Sequence, residues 1–131
     1  MFSSNALAQT WTETGTGTFD WNTNGNWDSS PYPNAVDAVA NISIDYANPQ
    51  TINLNEAITV GSINFEDNGA TTGSSVFELA AGTGGSLIFE TSSGNALVSI
   101  AAPSTSRQPK ITISSDILVN SDTTFDTSYQ R

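Results

Sequence analysis

Apolar residues recur in this chain at every second position over short runs, and nowhere at the i, i+3, i+4, i+7 spacing of a helix face. Ile52-x-Leu54, Ile58-x-Val60, Ile63-x-Phe65, Val76 to Leu79, Leu87 to Phe89, Leu97 to Ile100, Ile111 to Ile113 and Ile117 to Val119 each predict a strand, with a last one near Phe125. Side chains alternate between the two faces of an extended chain, so such a run offers one apolar face to a core. Asn48-Pro49 and Asn68-Gly69 break the series. Strand centres about ten residues apart predict an all-β fold: a sandwich, a barrel or a solenoid.

Upstream, Asp20 to Ile44 reads DWNTNGNWDSSPYPNAVDAVANISI. Trp21 and Trp27 bracket a turn at Asn24-Gly25, Pro31 and Pro33 stiffen the exit, and the apolar positions Val36, Val39, Ile42 and Ile44 follow. Large rings bury the most apolar area per residue, so the two indoles are predicted to cap the core. Before them, Thr10, Thr12, Thr14, Thr16 and Thr18 alternate strictly with Trp11, Glu13, Gly15, Gly17 and Phe19. This predicts one regular strand with a face of hydroxyls and an edge on which a second copy could pair.

An internal echo favours the solenoid. Gly61-Ser62-Ile63-Asn64-Phe65-Glu66 recurs 24 residues later as Gly85-Ser86-Leu87-Ile88-Phe89-Glu90, and Ile52-Asn53-Leu54 is echoed by Phe77-Glu78-Leu79. Such a repeat predicts coils in which Ile63 stacks on Leu87, Phe65 on Phe89, and Glu66 on Glu90. The alternative is a β-sandwich, since short apolar runs serve both folds.

Length and composition narrow the rest. The 131 residues make one domain, with residues 1–9 read as a signal-peptide remnant or a cloning scar and 10–131 as a single β domain. Within it, 10–44 form the Trp-rich strand and cap, and 45–131 the stacked coils. Ala6-Leu7-Ala8 resembles the end of a secretory signal, which points to export. The formal net charge is −10, and residues 1–106 hold ten carboxylates and no basic side chain; Arg107, Lys110 and Arg131 all come later. That distribution argues against a nucleic-acid partner and against an anionic membrane surface.

There is no His and no Cys, so Ser-His-Asp and Cys-His catalysis and zinc ligation are closed to this chain. Only paired carboxylates could support acid–base chemistry, with Glu66, Asp67, Glu78 and Glu90 as the candidates. The reading from the residues is that the protein is not an enzyme and needs no cofactor. Calcium is the one ion with a motif: Asp20-x-Asn22-x-Asn24-Gly25-x-x-Asp28 matches the first half of a calcium loop, but Pro31 stands where the bidentate Glu belongs. The same residues also build a tight turn. Trp21, Trp27 and Tyr32, close to Asn and Asp side chains in one loop, would make a carbohydrate-stacking surface if their rings were exposed, and a core cap if buried.

The succession TGTGTFDWNTNGNW, PNAVDAVANISI, TINL, ITVGSINFEDN and SLIFETSSGNALVSI resembles the amino-terminal region of large secreted proteins with autotransporter-associated β-strand repeats, over roughly Thr10 to Phe125. The resemblance implies a right-handed parallel β-helix outside a Gram-negative cell, secreted or on the cell surface, serving as a stalk, an adhesin or a structural layer. It carries no catalytic motif over. The later repeat arrays and the membrane-translocating barrel of that family are not in this sequence. The combined expectation is a non-enzymatic surface protein whose partner is itself, as an oligomer or filament, with surface glycans as the alternative partner.

Overall fold

The computed structural model describes residues 7–69, 76–101 and 110–127. They form twelve strands: β1 (Ala8–Thr10), β2 (Gly17–Asp20), β3 (Val39–Ile44), β4 (Gln50–Asn53), β5 (Ala57–Val60), β6 (Ser62–Asp67), β7 (Val76–Ala80), β8 (Ser86–Phe89), β9 (Ala96–Ile100), β10 (Lys110–Ile113), β11 (Asp116–Val119) and β12 (Thr123–Thr127). Among the described residues the one helical element is a 3-10 turn at Asn24–Asn26. The strands lie in three sheets, ordered β1-β3-β6-β9-β12, β2-β4-β7-β10 and β5-β8-β11. Every pairing between named strands is parallel. A β-sandwich is built from antiparallel sheets, so that alternative does not describe this chain.

Register explains why the apolar positions fall where they do. In the first sheet Gln9, Ala40, Ile63, Val98 and Phe125 share one row. In the second, Phe19, Ile52, Leu79 and Ile113 share one row, and Gln50, Phe77 and Ile111 another. The third stacks Ile58 on Leu87 and Ile117, and Val60 on Phe89 and Val119. These rows meet in a single core with Trp11, Trp21, Trp27, Ile42, Tyr46, Leu54 and Phe65. Each fully enclosed Ile, Leu or Phe contributes on the order of 1.5–3 kcal/mol relative to exposure. The alternate residues, Asn41, Asn64 and Ser99 among them, form an outer polar ladder with side-chain bonds of 2.9 and 2.8 Å between successive strands.

Three corners share one device, an Asp or Asn in one turn of chain above a glycine in the next. Asp37 and Asn55 adopt positive φ, 66° and 59°, a conformation that short polar side chains tolerate. A Cβ on Gly61 would lie 2.7 Å from the Cα of Asp37, and one on Gly85 would lie 2.6 Å from the amide nitrogen of Asn55. The third corner sets Asp45 above Gly69, where an added Cβ would meet the Asp45 carboxylate. Tight parallel stacking therefore requires glycine at Gly61 and Gly85, where the neighbour is backbone, and disfavours a larger residue at Gly69, where it is a side chain.

This device corrects the reading of the sequence echo. Gly61-Ser62 and Gly85-Ser86 each open a strand after a glycine corner, but those strands, β6 and β8, belong to different sheets. Ile63 stacks on Ala40 and Val98, and Leu87 stacks on Ile58 and Ile117. Phe77 lies beside Gln50 rather than beside Ile52. The echo marks a recurring corner, not the length of a coil.

The threonine-rich stretch also differs from expectation. Thr10 ends β1 and Thr18 lies in β2, while Thr12, Thr14 and Thr16 lie in the connection between them. β1 pairs with β3 and β2 with β4, in separate sheets, so no continuous hydroxyl face forms. Trp11 is enclosed, keeps a bond to Asn41 O at 2.8 Å and bridges antiparallel to Trp27, and the chain after it leaves the first sheet for the second. The ordered fold also begins before Thr10: Ala8 pairs with Val39, and Gln9 is buried.

Candidate functional site

The two ends of the stack differ in kind. At the amino-terminal end, residues 20–38 close the outer edges of β1 and β5, while β2 has no strand on its outer edge among the described residues. Residues 26–28 run antiparallel to residues 10–12 along the outer edge of β1, with Thr12 N–H donating to Asn26 O and Asp28 N–H to Thr10 O, both 2.9 Å. The Asp28 carboxylate accepts from Thr10 N–H at 2.9 Å. The edge of β5 is closed in the same way. Ala35 N–H donates to Thr59 O at 2.8 Å, the Asn34 amide oxygen accepts from Thr59 N–H at 2.8 Å, and its amide nitrogen donates to Ala57 O at 3.3 Å.

Under this loop the three indoles pack edge to face. Trp21 and Trp27 have ring centroids 4.8 Å apart, and Trp11 and Trp27 5.1 Å. Each indole N–H has an acceptor: Trp11 donates to Gln50 Oε1 at 3.0 Å, Trp21 to Pro33 O at 2.9 Å and Trp27 to Trp21 O at 2.8 Å. Gln50, itself buried, returns its amide protons to the carbonyls of Glu13 and Gly15. Tyr32 completes the seal by donating its hydroxyl to Glu56 at 2.5 Å. That bond, with burial and the negative charge of Glu56 adding to it, raises the Tyr32 phenol above its usual value.

The carboxy-terminal end has no such cover among the described residues. β12, β10 and β11 are the last strands of their sheets, each with an unpaired outer edge. Rows that are sealed at the other end terminate here on exposed apolar residues: Ile117 is 43% exposed, Val119 52% and Phe125 58%, against 0% for Trp21 and 4% for Trp27. Phe125 lies edge to face on Phe89, ring centroids 6.3 Å apart. Leu118, on the outer face of β11, is 53% exposed. Unpaired parallel edges above an uncovered apolar layer are a surface prepared for further β structure.

The residues singled out in the sequence resolve against this geometry. Trp21 and Trp27 are a buried cap, so neither ring can stack on a sugar; Tyr32 is half-buried with its hydroxyl engaged. Three of the polar residues of the calcium-like spacing have partners elsewhere in the fold. Asp20 accepts from Asn55 at 2.7 Å, Asn24 from Tyr32 N–H at 2.9 Å and Asp28 from Thr10 N–H, three partners on three different segments, and Asn22 belongs to the same turn. Among the described residues no three acidic side chains gather where they could hold a metal ion. The spacing reflects a cap-forming turn, in which side-chain oxygens satisfy backbone N–H groups.

Nor do the carboxylates pair. Glu66 accepts from Ser43 at 3.0 Å, Glu78 from Ser114 at 2.6 Å and Glu90 from Asn120 at 2.9 Å, each tying a strand to its sheet neighbour. Glu66 and Glu90 lie on different sheets. Asp67 points inward and accepts from the N–H groups of Tyr46 and Gly69. Burial, and then the negative charges of Asp67 and Glu66, push the Tyr46 phenol well above its ordinary range. Asp37 accepts from the amide and hydroxyl of Ser92, and these bonds hold its carboxyl below the usual carboxylate range. Every one of these groups has a structural task.

The sequence offered association through strand edges or solenoid ends, and Ile117-Leu118-Val119 and Phe125 were legible as strands, but it did not show which rows would be exposed. No sequence signal distinguishes a rung with another above it from a rung without one. Comparison with models of known protein families, with curated protein sequences and with solved structures finds no match to this chain.

Proposed function

We propose that this protein is a non-enzymatic structural module, a parallel β-solenoid that works by associating through its end. The three sheets serve as three faces of the winding, and the right-handed sense follows from the handedness of parallel crossovers. One observation carries the reading: the loop closes β1 and β5 at the amino-terminal end, while among the described residues Ile117, Val119 and Phe125 are uncovered beside the unpaired edges of β10, β11 and β12. Acidic, cation-poor outer surfaces and the resemblance to autotransporter-associated repeats support a secreted or cell-surface setting, where such a module would belong to a surface layer or an adhesin. The partner in this reading is a second copy of the chain. The association runs through the open end rather than through residues 10–12, whose edge the Trp loop occupies.

Sedimentation velocity on the full chain over a wide concentration range tests this, beside Phe125→Asp. The wild-type chain should associate and the variant should stay monomeric with an unchanged far-ultraviolet circular dichroism spectrum. A wild-type chain that remains monomeric throughout would overturn the proposal.

A further inference from the structure

The chain contains two Asn-Gly dipeptides, Asn24-Gly25 and Asn68-Gly69, and the fold treats them oppositely. We infer that Asn24 is a site of spontaneous covalent modification, losing its side-chain amide as ammonia and rebuilding part of its link to Gly25 through the side chain, while Asn68 is protected. This chemistry is independent of the association proposed above.

The reaction needs a backbone N–H free to lose its proton, a side-chain amide within its reach, and no bulk on the following residue. Glycine, with no Cβ, supplies the last. At Asn24-Gly25 both residues are exposed. The first bond of the turn is made by Asn26 N–H to Thr23 O at 3.0 Å, so the Gly25 N–H lies ahead of the bonded groups. Neither it nor the Asn24 amide nitrogen has a hydrogen-bond partner among the described residues. Asn24 Oδ1, in contrast, accepts from Tyr32 N–H at 2.9 Å. A donor at that oxygen stabilises the negative charge that develops there when the amide is attacked.

The Gly25 nitrogen, deprotonated by solvent, bonds to Asn24 Cγ, and the Cγ–Nδ2 bond breaks with release of ammonia, leaving a cyclic imide. Water then opens the ring. Addition at Cγ leaves aspartate in an ordinary backbone; addition at the main-chain carbonyl carbon leaves isoaspartate, with the backbone running through Cβ and Cγ. Either route exchanges an ammonia for a water and adds a negative charge. Ring closure requires the turn to open, and the bonds that hold it are the Asn26 bond and Trp27 N–H to Asn24 O at 3.2 Å, both in an exposed loop. Openings of that kind lie at the low end of a fold's local stabilities.

Asn68-Gly69 is clamped at both reacting atoms. The Asn68 amide nitrogen, which would leave, donates to Ser43 O at 3.1 Å and to Ser43 Oγ at 3.3 Å. The Gly69 N–H, which would attack, donates to Asp67 Oδ1 at 3.0 Å. Gly69 is buried against Asp45, and Asn68 N–H is bonded to Ile44 O at 3.0 Å.

Incubating the full chain in mildly alkaline buffer made with heavy-oxygen water labels each conversion as it occurs. Chymotryptic peptides carrying the two sites are then compared by mass spectrometry, with electron-transfer fragmentation separating isoaspartate from aspartate. In the folded chain position 24 should convert roughly tenfold faster than position 68, a scale set by the net strength of one or two hydrogen bonds. In urea the two rates should converge. Gly25→Ala, whose Cβ would meet nothing within 4 Å, should keep the urea midpoint and slow conversion at position 24 alone. Equal rates in the folded chain, or a ratio that unfolding leaves unchanged, would overturn the inference. So would a position 24 that reacts in urea but not in the folded chain, or a Gly25→Ala variant that converts as fast as wild type.

Discussion

Replacing Trp21 with alanine isolates the cap from the rest of the core. The ring is fully enclosed, packs against Trp27 at 4.8 Å and donates to Pro33 O at 2.9 Å. Truncating a buried aromatic to alanine costs about 3–5 kcal/mol, most of it lost contact area and the cavity left behind. Trp21→Phe keeps much of the volume but leaves the buried Pro33 carbonyl without its donor, a penalty of about 1–3 kcal/mol. Against a domain stability on the order of 5–15 kcal/mol, the alanine variant gives up a third or more. With a urea slope of about 1–3 kcal/mol/M, its midpoint falls by roughly 2 M. Urea unfolding followed by far-ultraviolet circular dichroism measures both variants. The expected order is wild type, Trp21→Phe, Trp21→Ala, with similar slopes. An alanine variant within about 1 kcal/mol of wild type would show that the loop does not depend on its indoles and would refute the account of the sealed end.

Two further outcomes probe the corners. Gly61→Ala places a Cβ against the backbone of Asp37, which cannot yield as a side-chain tip would, so it should cost about 1–3 kcal/mol in the same unfolding assay; an unchanged midpoint would count against the tight-corner device. Ser92→Ala removes the hydroxyl bond, the larger of the two that lower the Asp37 carboxyl, and keeps the amide bond. A depressed folded-state value stabilises the fold above the ordinary carboxylate range and loses that effect as pH falls through the depressed value. The stability gap between wild type and Ser92→Ala should thus be constant at neutral pH and shrink below pH about 4. A gap that widens on acidification would contradict the assignment.

The alternation of apolar residues determined, without the structure, that the chain is all-β and where most strands lie. The runs at Ile58, Ile63, Val76, Leu87, Ile111 and Ile117 each coincide with a strand, because period-two patterning is a local consequence of extended backbone meeting a core. The absence of His and Cys, the acidic balance and the cap-forming role of the two tryptophans were equally legible. Other features needed the tertiary structure. Thr10 to Phe19 alternates as faithfully as any strand, yet its two ends pair with β3 and β4 in separate sheets, a long-range choice that local alternation does not encode. Ala38 and Ala40 face inward where Val36 and Val39 seemed the core positions, since register with the neighbouring strands, not hydrophobicity, fixes which residues of β3 point in. The echo of Gly61 to Glu66 at Gly85 to Glu90 reflects two corners under the same steric demand, and only the pairing of strands reveals that they lie on different sheets. The asymmetry between a sealed and an open end is of this kind too. Local sequence specifies a rung, but whether another rung lies above it depends on what the distant parts of the chain do.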